Sequence, residues 1–156
     1  MIRYVKGDAT EPTANGAKVI VHVCNDVGGW GKGFVMAISK RWPQPEAAYR
    51  AWFKQRATND FALGAVQFVQ VADGLWVASL VGQRDLRAEN GVPPIRYEAI
   101  RAGLQKVAAF AVEQRASVHM PRIGCGLAGG KWEQIEPIIE RELGERGVEV
   151  DVYDLA

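Results

Sequence analysis

Two stretches of this chain carry residue types spaced for chemistry on a phosphorylated ligand. The first is Met120-Pro-Arg-Ile-Gly-Cys-Gly-Leu-Ala-Gly-Gly-Lys-Trp132, with four glycines between Gly124 and Gly130. The second is His22-Val-Cys-Asn-Asp26 followed by Gly28-Gly-Trp-Gly-Lys-Gly33. A glycine has no Cβ, so its backbone comes close to a phosphate and adopts positive φ without strain. Placed between a strand and a helix, such a loop aims backbone N–H groups at an anion. Two such loops point to a cleft for a ligand with more than one phosphate. The structural alternative is that the glycines only make tight strand-to-helix turns.

Neither loop is a standard nucleotide fingerprint. Lys32 is followed by Gly33 and not by Ser or Thr, which excludes a Walker A loop. No clean GxGxxG with a well-placed acidic residue is present. Asp8, just after a strand and a glycine, is placed to accept an exocyclic amine or simply to cap a turn. His22 suits proton transfer near neutral pH, although its mid-strand position equally suits a core histidine. His119 adjoins the second loop with the same ambiguity. Asp26 stands at a strand end, where ligands gather in α/β folds. Arg84 and Asp85 lie on an irregular segment that could close over a ligand. Arg122 either pairs with a phosphate or braces its loop against a carboxylate, and Lys32 offers charge to a phosphate or points into water. Cys125 lacks the Cys-x5-Arg spacing of a cysteine phosphatase and is expected to serve by packing or backbone donation. Trp30, inside the first loop, is a candidate to stack near the ligand.

The elements that must position these residues follow from periodicity. Ile2 to Lys6 reads as a strand. Lys18 to Cys24 is nearly continuous β-branched sequence, which fits a central strand covered on both faces. Helical spacing runs from Phe34 to Trp42 and again from Glu46 to Phe53. Ala65 to Val71 and Leu75 to Val81 flank Asp73-Gly74, a two-residue hairpin signal. Gly82 to Pro94 reads as a surface loop and Ile95 to Gln114 as a long helix. Ser117 to Met120 is a short strand, Trp132 to Leu143 a helix closed by Gly144, and Val148 to Tyr153 a last strand. Strands and helices alternate with one hairpin between them. The expected fold is therefore α/β, a mixed central sheet with helices on both faces.

Bulk composition narrows the partners. A chain of 156 residues fits one domain, residues 1–156, with room for a core. Its formal net charge of +1 argues against duplex DNA as the main partner. Cys24 and Cys125 stand far apart, without metal-ligand spacing, so neither a zinc site nor a disulfide framework is expected. The N-terminus reads as a strand and not as a signal peptide, and no apolar run approaches a membrane span, so the expectation is a cytoplasmic protein with no membrane partner.

Together these pieces resemble the macrodomain family of ADP-ribose-binding modules. The matching residues are Val5-Lys-Gly-Asp8, His22-Val-Cys-Asn25, Gly31-Lys-Gly-Phe34, and Met120-Pro-Arg-Ile-Gly-Cys-Gly-Leu127 with Trp132. The likeness covers nearly the whole chain, and Pro121 to Leu127 is its most specific part. That part looks like the branch containing terminal ADP-ribose protein glycohydrolase and yeast-type ADP-ribose-1″-phosphate phosphatase. The resemblance implies a three-layer α/β/α fold. It implies that Asp8 binds the adenine amine and Ala9 adds a backbone contact. Gly31, Lys32, Gly33 and Phe34 would form the first diphosphate loop. Pro121 and Arg122 lead into the second, formed by Ile123, Gly124, Cys125, Gly126 and Leu127. Asn25 would face the distal ribose.

The departures shape the expected chemistry. The glycohydrolase branch uses a covalent lysine and an aspartate after its Gly-Cys-Gly-Leu motif. Alignment puts Gln83 and Ala128 at those positions, and neither a Schiff base nor general-base action is open to them. The expectation is a hydrolase of ADP-ribose derivatives without a lysyl intermediate, either an ADP-ribose-1″-phosphate phosphatase or an ADP-ribosyl ester hydrolase. It would use water attack assisted by the substrate or by His22, Asn25 and Asp26. The rivals are a non-catalytic reader of ADP-ribosylated partners and another nucleotide-binding α/β protein, for example one for NAD. No metal or cofactor is expected. The expected partner is ADP-ribose or a derivative, with ADP-ribosylated protein or nucleic acid as a further candidate.

Overall fold

The β-branched segment from Lys18 to Asn25 sits at the centre of the sheet because it is hydrophobic on both sides. In the computed structural model, which describes residues 2–155, this strand is β2 (Lys18–Asn25). It lies between β5 (Ser117–Met120) and β4 (Leu75–Gln83), in the order β1-β6-β5-β2-β4-β3. The outer strands are β1 (Ile2–Lys6), β6 (Val150–Asp154) and β3 (Val66–Ala72). All neighbours pair in parallel except β3 with β4, which form the hairpin expected from Asp73-Gly74.

Alternation along β2 divides the core in two. Ile20 and Cys24 face α1 (Phe34–Arg41) and α2 (Gln44–Lys54), packing with Ile38, Tyr49 and Trp52. Val19 and Val21 face α3 (Tyr97–Gln114) and α4 (Trp132–Glu142), packing with Leu104, Val107, Ile135 and Ile139. The result is the three-layer α/β/α arrangement with a mixed sheet.

Boundaries differ from the sequence reading where proline or a bridge intervenes. α2 begins at Gln44, ahead of Pro45, because the first helical turn does not need the N–H that proline lacks. α3 begins two residues late because Ile95 bridges Gln83 and gives its N–H to the Ala128 carbonyl. β4 runs on through Gly82 to Gln83, so the supposed loop begins at Arg84. There the register against β2 jumps from Cys24–Val81 to Asn25–Gln83, a bulge of the kind that re-aims side chains beside active sites. The last strand begins at Val150, not Val148.

Parallel strands β1, β2, β4 and β5 end at one edge of the sheet. The segments that follow them, residues 7–17, 26–33, 84–96 and 121–131, therefore gather there. Among the described residues no helix is long and apolar enough to cross a membrane.

Candidate functional site

The two glycine loops converge at this edge. The first turns into α1 through Gly33, at φ 83°, with no side chain capping the helix. Among the described residues the N–H groups of Gly31, Lys32, Gly33 and Phe34 donate to no protein acceptor. The second loop joins β5 to α4, and the N–H groups of Ile123, Gly124, Gly126 and Leu127 are equally free by the same measure. Two uncapped sets of N–H groups near helix N-termini make an electropositive seat for anions. The loops meet: a Cβ on Gly33 would lie 3.7 Å from the Leu127 side chain, which is otherwise exposed.

The glycines in these loops serve two different ends. Gly124 has φ 72°, and a Cβ there would lie 2.5 Å from Ile95 Cδ1. Gly130 could carry no side chain, since a Cβ would lie 2.4 Å from the Gly124 carbonyl oxygen. These two hold the shape of the loop. Gly31 and Gly126 lack positive φ and have nothing within 4 Å of a built Cβ. The fold does not require glycine at either; a ligand lying against the backbone would.

Asp8 follows β1 and lines a cleft of about 330 Å³ with Thr10, Ala37, Lys40 and Arg41. Its Oδ1 accepts the Thr10 N–H at 2.8 Å and the Thr10 hydroxyl at 2.7 Å. Burial pushes its pKa up, but the bonds from Thr10 and Arg41 outweigh it and hold the carboxyl below its ordinary value. Ala9 is buried, and its N–H finds no acceptor among the described residues. A larger cavity of about 570 Å³ lies at the opposite edge, lined by Ala14, Ser117 and Arg146. It contains none of the predicted site residues.

Asn25 is buried and already occupied. Its Oδ1 accepts the N–H groups of Val27 at 3.0 Å and Gly29 at 2.9 Å, and its Nδ2 donates to the Gly29 carbonyl at 2.8 Å. The Tyr49 hydroxyl donates to the Asn25 carbonyl at 2.7 Å. Asn25 thus shapes the loop that presents the glycines, and its second Nδ2 hydrogen has no protein acceptor among the described residues. Sequence reasoning missed Tyr49, because a tyrosine at helical spacing has the pattern of core.

His22 needs correction as a candidate base. It is 1% exposed, with Nε2 2.7 Å from the Ser79 hydroxyl and its ring edge-on to Trp30. Burial drives its pKa down to about 3. A sealed, neutral imidazole cannot exchange a proton with a ligand in the cleft. Trp30 is likewise 4% exposed, and its Nε1 donates to Ser39, so it packs under the loop and offers no stacking face.

Arg122 is also committed within the protein. It makes two bonds to Asp154, at 2.7 and 3.0 Å, and its guanidinium lies over the rings of Tyr4 and Trp132 at 5.1 and 5.2 Å. It therefore braces the second loop against β6. Cys24 and Cys125 are free thiols. Burial raises the pKa of both, which leaves Cys125 a poor nucleophile. Among the described residues no group of three or more His, Cys, Asp or Glu could hold a metal.

At the mouth, Gln83 donates through Nε2 to the Asp85 carbonyl at 2.9 Å, and Asp26 Oδ1 accepts the Asp85 N–H at 2.7 Å. Ala128 is buried. Asp26 is half-buried, and its Oδ2 carries no protein hydrogen bond among the described residues.

No family model matches the chain. A macrodomain protein from Streptomyces coelicolor is 59% identical, with 99% of each chain covered and a TM-score of 0.90. The chain belongs to the macrodomain family. The macrodomain is also 34% identical, over 97% of its length, to Chromodomain-helicase-DNA-binding protein 1-like of Danio rerio, and spans 15% of that relative. It is 28% identical to the ADP-ribose 1''-phosphate phosphatase of Candida albicans, with 90% of the chain and 92% of that protein covered.

Proposed function

We propose that this macrodomain binds ADP-ribose and hydrolyses ADP-ribose derivatives, by direct water attack and without a lysyl intermediate. The observation that carries the reading is the pair of facing loops whose Gly31 and Gly126 leave room where a Cβ would stand. A diphosphate fits between two sets of free N–H groups. Asp8 takes the adenine amine at one end, and Asp26 and the 84–96 segment border the distal ribose at the other. The likeness to the Candida phosphatase supports the same reading.

With Gln83 and Ala128 in place, the groups left at the mouth to accept a proton, among the described residues, are carboxylates. Asp26 is the general base of this proposal: its Oδ1 holds the loop and its Oδ2 takes a proton from water. The water oxygen bonds to the 1″-phosphorus, the bond from phosphorus to the 1″-oxygen breaks, and the departing ribose oxygen takes a proton from solvent, to which Asp26 returns the one it accepted. The products are ADP-ribose and inorganic phosphate. An ester of the distal ribose, on protein or nucleic acid, would be cleaved by the same water at its acyl or phosphoryl centre.

A second reading is favoured by the tied-up Gln83 amide and the buried Ala128: a reader that holds ADP-ribosylated partners without turnover. Calorimetric titration with ADP-ribose, beside AMP and NAD, tests the shared ligand. Phosphate release from ADP-ribose-1″-phosphate then separates the two. Release that exceeds buffer and is lost in Gly126→Ala supports the enzyme. Binding without release leaves the reader.

A further inference from the structure

Arg41, in the last turn of α1, lies outside both glycine loops, yet it reaches the base-recognising corner. Its Nε donates to Thr10 Oγ1 at 2.6 Å, its Nη2 lies 3.4 Å from Asp8 Oδ2, and the same Nη2 pairs with Glu11. Thr10 is 3% exposed, and its hydroxyl passes the chain on to Asp8 Oδ1. The relay therefore runs from guanidinium to hydroxyl to carboxylate, and each member fixes the next.

We propose that Arg41 and Thr10 set the base selectivity of this pocket by fixing Asp8 in one orientation, so that it accepts a 6-amino purine and disfavours a 6-oxo purine. The inference rests on the reading of Asp8 as the group that meets the base. Oδ1 is filled twice by Thr10, whereas Oδ2 accepts only the long bond from Arg41 Nη2 at 3.4 Å and keeps acceptor capacity for the ligand. Arg41 commits Nε and Nη2 to Thr10, Asp8 and Glu11, so these donors face the protein and not the ligand. An adenine puts a donor at the 6-position. A 6-oxo purine puts an acceptor there, and two acceptors face to face leave a polar pair unbonded. Its N1–H donor is one ring position away and reaches Oδ2 only if the base slides or the carboxylate turns. The relay prevents the turn. Arg41 and Thr10 are positioning residues: they select through Asp8.

The test is a set of titrations with ADP-ribose and its hypoxanthine counterpart, on the wild type, Arg41→Met and Thr10→Val. Thermal melting first establishes that each variant is folded. The wild type is expected to prefer ADP-ribose by about tenfold or more, as expected where a bonded polar group is exchanged for an unbonded one. In both variants the ratio is expected to fall to about threefold or less, since a freed carboxylate follows either base. A merely structural role would weaken both ligands alike and leave the ratio unchanged. A carboxyl NMR titration gives a second readout, in which the Asp8 pKa rises in Arg41→Met, because the guanidinium helps hold it down. Two folded variants with the wild-type ratio overturn the inference and leave the ligand assignment intact. A wild type that binds neither ligand overturns that assignment, and this inference with it.

Discussion

Asp26 holds Asp85: its Oδ1 accepts the Asp85 backbone N–H at 2.7 Å, across the gap between β2 and β4. Asp85 needs such a hold, because its φ of 61° is a left-handed conformation that side chains other than Asn and Asp rarely adopt. The same carboxylate is the proposed base, so its two oxygens have separate tasks, and substitution can separate them. Asp26→Asn keeps an acceptor for the loop and removes the base. Turnover is expected to fall by about 10²-fold or more, the usual contribution of a positioned general base, with ADP-ribose affinity nearly unchanged. Asp26→Ala should in addition speed hydrogen exchange across residues 84–94. If Asp26→Asn keeps full turnover, Asp26 is a loop latch and the base lies elsewhere.

The loop glycines predict opposite phenotypes within a few residues. Gly126→Ala adds a methyl group into open space at ordinary φ, so stability should change by less than about 0.5 kcal/mol. ADP-ribose affinity should drop at least tenfold, because the methyl group stands where the diphosphate would lie. Gly124→Ala forces a side chain into positive φ and against Ile95, at about 1–3 kcal/mol of stability. Paired denaturant melts and titrations read both numbers, and a Gly126→Ala variant with unchanged affinity would remove the main support for the cleft.

His22 separates a structural histidine from a catalytic one. His22→Ala loses the Ser79 bond and leaves a cavity beneath Trp30 and Phe34. The expected loss is about 2–4 kcal/mol of stability. Turnover per folded molecule at neutral pH should stay near that of the wild type. A collapse of activity in a protein that still binds ADP-ribose would return His22 to the mechanism.

Much of this was legible in the sequence, and the limits have physical causes. β2 was readable because a nearly continuous β-branched run suits a strand covered on both faces and little else. The glycine loops stood out for a similar reason, since four glycines in seven residues must turn or approach something. Side-chain destinations were less legible. Period-two alternation puts His22 on a face, but what covers that face depends on α1 and Trp30, which are distant in sequence. Arg122 carried the same signal for a phosphate ligand as for a brace, and only its pairing with Asp154 in β6 separates the two. The Arg41–Thr10–Asp8 relay joins residues about thirty positions apart and leaves no local pattern.

His119 makes the fold sensitive to acid. It is fully buried, with Nε2 2.7 Å from Ser117 Oγ and Nδ1 2.8 Å from the Tyr153 hydroxyl. Burial lowers its pKa to about 4; Asp151, 3.6 Å from Nδ1, pulls upward, while Lys18 and Arg3 push down. In the unfolded chain the imidazole titrates near its ordinary value of about 6.5. Between these limits the unfolded state binds the extra proton, so stability falls as the pH drops from about 6.5 toward 4. His22, lowered to about 3 by burial, acts in the same direction and over a wider range. Each histidine should withdraw about 3–5 kcal/mol across its full window, the larger loss belonging to His22, at about 1.4 kcal/mol per pH unit. Urea melts from pH 7.5 to 4.5 should therefore show a falling midpoint. In His119→Gln, which has no imidazole to protonate, the slope should be close to half that of the wild type. An unchanged slope would mean that His119 binds its proton without unfolding, with Asp151 outweighing the burial.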